Sequence, residues 1–138
     1  MQVNLKLKIK PLNHKPLVDD KEVLSFNLKE NSIKISKNGV EKISCLEPNY
    51  LKGVQFVVCV NKEPKFTGYF SSVFSSYLPT WNFLSYLPQK QSKGELIKEE
   101  DFVVRRDSVN SKVKVVDVSK EYPELIQAFK NTNRLLEE

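Results

Sequence analysis

The chain is poor in the residues from which catalytic and metal sites are commonly built. It has one histidine, His14, so any arrangement that needs two imidazoles is excluded. Two cysteines, Cys45 and Cys59, are too few for a disulfide-rich scaffold or a four-cysteine zinc site. Four glycines leave almost no material for a phosphate-cradling loop. No stretch reads as a transmembrane helix, because the least charged segment, residues 66–89, is interrupted by Pro79, Pro88 and five serines. No apolar signal-like run follows Met1, which reads as cytoplasmic unless a leader has been removed.

What is present suits one folded domain over residues 1–138. The chain has a mass of 16.0 kDa, with 40% hydrophobic and 28% charged residues, a balance foreign to disordered tails. The net charge of +5 is uneven: up to Lys65 there are 12 basic and 7 acidic residues, and beyond it 10 of each. Lys6, Lys8 and Lys10 share one face at strand spacing. A phosphate-binding stripe for nucleic acid is one reading of them. Lysines guarding a sheet edge is the stronger one, because the stripe has no arginine and its other face is aliphatic.

Hydrophobic patterning predicts a mainly β, α+β fold. Val3, Leu5, Leu7 and Ile9 alternate with polar residues, and residues 22–28 form a second strand. Asn38-Gly39 marks a hairpin over residues 32–44. Residues 55–60 are a nearly unbroken apolar run, as in a central strand covered on both faces, and residues 65–70 return beside it after a turn. Further strands are expected at 81–87, 102–106 and 112–118. Leu125, Ala128, Phe129, Thr132, Leu135 and Leu136 recur at helical spacing behind Pro123. The expected architecture is a curved or half-closed, mostly antiparallel sheet of about seven or eight strands with one C-terminal helix.

Residues 66–89 carry no charge yet hold 8 of the 14 aromatic residues. Most of these rings suit a core. The intervening serine, threonine, asparagine and glutamine, without lysine or glutamate, suit the centre of an interface instead. Tyr69, Tyr77, Trp81 and Tyr86 are therefore the candidate contact residues, for a protein partner first and for an apolar or sugar-like ligand second. Stacked nucleotide bases fit less well, because the nearest cations, Lys65 and Lys90, stand at the two ends.

Catalytic readings are weak. Ser71, Ser72, Ser75 and Ser76 have only His14 as a base, and no glycine-flanked nucleophile elbow is present. Cys45 and Cys59 both fall in expected strands, where they form a disulfide if those strands are neighbours or remain two buried thiols. The acids at Asp19-Asp20 and Glu99-Glu100-Asp101 read as solvated. Arg105 and Arg106 point to opposite faces of a strand, one of them pairing with an acid. The expectation is a protein without enzymatic activity and without a cofactor or metal.

One set of residues resembles a known group. Pro64-Lys65-Phe66-Thr67-Gly68-Tyr69-Phe70, the Ser75-Ser76 pair, and Arg106-Asp107 ahead of a closing helix are similar to short exported bacterial lipoproteins of unassigned function. In that group a strand carrying Pro-x-aromatic-Thr-Gly-x-Phe runs into a paired serine. This chain differs in lacking a lipid-attachment cysteine near Met1 and in having Ser71 where an aromatic is common. The resemblance implies export to the cell envelope and a non-enzymatic role, and it names no functional residue.

Overall fold

The computed structural model describes residues 4–9, 16–49, 53–75, 78–79, 81–89, 96–107 and 112–137. Among these residues ten strands form two mixed sheets rather than one curved sheet. The first is built from β1 (Leu5–Ile9), β4 (Val54–Val60), β5 (Glu63–Ser72), β6 (Asn82–Tyr86), β8 (Arg105–Asp107) and β9 (Val113–Val115), in the order β1-β4-β5-β6-β8-β9. The second contains β2 (Val23–Asn27), β3 (Ser32–Ile35), β7 (Glu100–Val103) and β10 (Leu135–Leu136), in the order β10-β2-β3-β7. A 3-10 turn at Asp20–Glu22 and three short α-helices accompany them among the described residues: α1 (Lys37–Ser44), α2 (Val118–Glu121) and α3 (Pro123–Asn131). The mainly β, α+β class is as expected. Two pairings are parallel, β5 with β6 and β10 with β2, and the rest are antiparallel.

β4 is the central strand its composition indicates. Phe56, Val57, Val58 and Cys59 are all buried. Phe56 and Val58 join the main apolar cluster, with Leu5 and Leu7 of β1, Phe66 and Phe70 of β5 and Phe129 of α3. Asn61 and Lys62 both take positive φ, 51° and 72°, the backbone of a type I′ turn, so β5 begins at Glu63. Pro64 sits inside β5 opposite Cys59, beside a register shift where its missing N–H costs the ladder nothing.

Three expected elements are replaced, each for an identifiable reason. The hairpin over residues 32–44 is instead β3 followed by α1. Ser36 caps the helix, its hydroxyl accepting from the Gly39 N–H at 3.3 Å. β3 is already paired with β2 on one side and β7 on the other, which leaves no edge for a strand at 40–44. Gly39 serves close packing, not a hairpin turn: a Cβ there would lie 2.5 Å from Ile35 Cγ2. The C-terminal helix stops at Asn131, not Leu136. Asn133 turns the chain with a φ of 58°, and Leu135 then pairs with Phe26 in parallel register. The strand expected over residues 102–106 is divided at Val104 between the two sheets.

The C-terminal strand is secured by Arg134. Its guanidinium donates to the Asp20 carbonyl, the Val23 carbonyl and Asp20 Oδ1, each at 2.9 Å, and its Nε donates to Thr132 Oγ1. Asp20 Oδ1 also accepts from the Leu5 N–H at 2.7 Å, so one carboxylate joins β1 to the chain end. The Asp19-Asp20 pair is thus structural and not simply solvated. Burial works against the charge on Asp20, but the Leu5 N–H and Arg134 outweigh it and hold the carboxyl below its ordinary value of 3.8. Glu22 is lowered similarly, burial being overcome by the Asp19 N–H and by Lys42 at 2.9 Å.

Gly39→Ala should destabilise the fold by about 1–3 kcal/mol through overpacking on Ile35, although alanine is the better helix former by ~1 kcal/mol. Urea unfolding that shows equal or higher stability would refute the close packing. Arg134→Met should cost about 2–3 kcal/mol at neutral pH by leaving two carbonyls and Asp20 without their donor. Because Asp20 and Glu22 titrate lower in the folded state, their contribution is complete above their ordinary values and is lost as pH falls through the lowered ones. The Arg134→Met protein should therefore lose less of its remaining stability between pH 5 and acid than the parent does. Parallel acid dependences in the two proteins would contradict this assignment.

Candidate functional site

The uncharged segment forms the end of β5, the nine-residue connection at 73–81 and β6. Alternation along β5 sends Phe66 and Phe70 into the core and places Tyr69 on the opposite face, half-buried. Gly68 lies between them on the core side because a Cβ would meet Phe56 Cζ at 2.8 Å. β6 runs parallel to β5, with Tyr69 opposite Phe83 and Phe70 opposite Leu84. The chain must therefore travel back along the sheet between Ser72 and Asn82. This is a short route for a parallel crossover, which usually contains a helix.

Three of the four candidate contact residues are described, and they differ in exposure. Trp81 is 40% exposed. Its Nε1 donates to the Thr67 carbonyl and to Thr67 Oγ1, both at 3.1 Å, and the Arg106 guanidinium lies 4.7 Å from its ring centroid. Tyr69 is half-buried on the same strand as Thr67. Tyr86 is a correction: at 2% exposure it belongs to the core, edge-on to Phe70, with its hydroxyl donating to the Leu46 carbonyl at 3.2 Å. Its position opposite Ser72 puts it on the inward face, so burial of the ring, not contact with a partner, accounts for it. Tyr77 lies outside the described residues.

The exposed apolar groups of this region are ones that composition did not single out. Val73 and Phe74 are each 54% exposed and Leu78 is 38% exposed. The available signal was the break in alternation after Ser72: two adjacent apolar residues cannot both face the core from one strand. The turn that presents Phe74 is local, with its N–H donating to Ser72 Oγ at 3.1 Å and the Ser75 N–H donating to the Ser72 carbonyl. Ser71 and Ser72 are buried, which fits supporting roles.

Behind Trp81 lies a polar cluster that patterning also missed. Asn82 is fully buried. Its Nδ2 donates to the Thr67 carbonyl at 3.0 Å and to the Tyr122 hydroxyl at 2.7 Å, while its Oδ1 accepts from Arg106 Nε at 2.8 Å. Arg106 Nη1 reaches Glu121 at 2.9 Å, so one arginine of the pair does bind an acid. Arg106 Nη2 and Asp107 Oδ1 are buried with no hydrogen-bond partner among the described residues. The cluster joins β5, β6 and β8 to the junction of α2 and α3. An amide, a guanidinium, a phenol and an indole hold geometry and present hydrogen bonds.

The remaining sequence candidates are dispersed. Lys6 and Lys8 are half-buried on β1, at the margin of the six-stranded sheet, and Lys10 lies outside the described residues. His14 lies outside them too. Of the two alternatives for Cys45 and Cys59, a disulfide or two buried thiols, the structure has two free thiols, only one of them buried. Cys59 is buried in β4, whereas Cys45 follows α1, exposed, with its Sγ donating to Gln89 Oε1 at 3.1 Å. The helix in place of the expected strand is what parts them. Among the described residues, no group of three or more His, Cys, Asp or Glu is placed to hold a metal, and no helix is long and apolar enough to cross a membrane. No family model, curated protein or solved structure matches the chain.

Asn82→Leu should cost about 2–4 kcal/mol, because Arg106 Nε, the Tyr122 hydroxyl and the Thr67 carbonyl each lose a buried partner. Thermal unfolding of the variant checks this. A change below about 0.5 kcal/mol, the range of ordinary surface substitutions, would mean that the cluster is not a structural unit.

Proposed function

We propose that the protein is a non-catalytic binding module that recognises another protein through the uncharged connection between β5 and β6. The observation that carries this reading is the exposure of Val73, Phe74, Leu78 and Trp81 within nine residues that contain no charge. Scattered single apolar residues on a surface need no explanation, but four in one short connection do. Trp81 is also of the residue type enriched at interface hot spots, and it is held in place by Thr67 and Arg106. A partner that covers Phe74 would bury apolar area on a side chain presented by the hydrogen-bonded turn at Ser72–Ser75. Little ordering entropy would then be lost on binding. Tyr69 and Tyr77 belong to the same stretch of chain and complete the proposed contact set.

The experiment is site-specific photo-crosslinking from position 74 in the source organism, with capture of the partner repeated for substituted proteins. Phe74→Ser and Leu78→Ser should each weaken capture about tenfold or more, the scale of a ~1.4 kcal/mol interface contact, with the melting temperature unchanged. Lys130→Ser on α3, distant in sequence from the connection, should leave capture intact. Equal capture by all three variants, or no crosslinked protein at position 74, would overturn the reading.

A further inference from the structure

A second feature lies away from this connection. Between α1, the end of β6 and the start of β7 there is a cavity of about 130 Å³, whose apolar wall includes Val40, Ile43, Tyr86, Leu87 and Phe102. None of the exposed side chains at 73–81 lines it, so the inference is independent of the protein-binding reading. It opens to solvent past Leu96, which is 85% exposed, and Ser44, Gln89 and Lys98 add polar groups to its lining; its volume is of the order that takes up a benzene-sized molecule, about 150 Å³. Tyr86 adds no free polar group, since its hydroxyl is already bonded to Leu46.

The one acidic side chain among its lining residues is Glu100, which stands at the rim and is exposed on its outer side. Its neighbours on β7 and before it are served differently: Lys34 lies 3.9 Å from Glu99 and 4.0 Å from Asp101. No described cation forms an ion pair with Glu100. Lys98 lies on the same wall, but its charge does not hold the Glu100 carboxyl down. Loss of solvent raises that carboxyl above its ordinary value of 4.5, and the adjacent Asp101 raises it further. A carboxylate in this position gains from a ligand that brings a positive charge and hydrogen-bond donors to it.

We propose that this cavity binds a small amine with an apolar body of about six carbons, the ring or chain packed among Val40, Ile43, Leu87 and Phe102 and the ammonium group on the Glu100 carboxylate. The apolar wall supplies binding without direction. Glu100 supplies orientation and selects cation over neutral or anionic analogues of the same shape.

Three probes of nearly equal shape separate these contributions: benzylamine, benzyl alcohol and benzoate. Each is titrated into the full chain while the methyl resonances of Val40, Ile43 and Leu87 are followed by NMR. Saturable shifts are expected with benzylamine about tenfold tighter than benzyl alcohol, a difference of ~1.4 kcal/mol, and with benzoate weakest. Glu100→Gln should bring benzylamine to the level of benzyl alcohol without changing the alcohol. Val40→Phe, which fills the cavity from α1, should abolish binding of all three, and Leu87→Phe fills it from the opposite side if the first variant folds poorly. The absence of saturable shifts with benzylamine at millimolar concentration overturns the proposal. So does an order of affinities that Glu100→Gln leaves unchanged, or binding that survives filling of the cavity.

Discussion

The passage of the chain from one sheet to the other at Val104 is the constraint on which the packing depends. Val104 is fully buried, its N–H donating to the Asn31 carbonyl and its own carbonyl accepting from the Val116 N–H, both at 2.9 Å. Val103 on one side belongs to the four-stranded sheet and Arg105 on the other to the six-stranded sheet. Strands that change sheets in this way make the corner between two packed layers. The corner leaves a wedge that must be filled, and aromatic rings fill it. Phe70 lies edge-on to Phe102 at 6.5 Å and to Tyr86 at 6.0 Å, with Phe56 at 4.7 Å behind it. Asn31 holds the corner from beyond the turn as well, because its Oδ1 accepts from the Val118 N–H where α2 begins.

Two arginines close the seams that the corner creates, and they do so differently. Each nitrogen of Arg134 has a partner, with donors placed on Asp20, Val23 and Thr132. It ties the last strand to the first two, at the opposite end of the chain. Arg106 is bonded to Asn82 and Glu121 and stacked near Trp81, and its Nη2 is buried without a partner among the described residues. A fully satisfied buried network favours one arrangement strongly, and a partly satisfied one does so less. The less satisfied seam lies behind Trp81, beside the proposed contact surface.

The parallel pairing of β5 with β6 explains why apolar side chains stand in solvent at all. A helix in the crossover would have buried an apolar stripe against the sheet. Only nine residues connect Ser72 to Asn82. Val73, Phe74 and Leu78 of this connection are exposed. Charge depletion in this segment was legible in the sequence, and so was its aromatic content. Which rings would be outside was not: Tyr86 and Phe74 exchange the places that residue type alone would give them, since a phenol near a carbonyl is as well satisfied inside as out.

Local periodicity determined β1, β2, β4 and β5, the start of α3 behind Pro123 and the mainly β class, because alternation and helical spacing need only neighbouring residues to be read. The opposed directions of Arg105 and Arg106 follow from the same period. Tertiary structure decided the rest. Asn38-Gly39 is as compatible with a helix start as with a hairpin turn, and the outcome turned on β7, some sixty residues away, occupying the edge of β3. Leu135 and Leu136 continue a helical spacing yet pair with β2, because Arg134 finds its carbonyls on β2 and the turn before it. Sheet membership, strand direction and exposure depend on partners distant in sequence, and no local pattern carries that information.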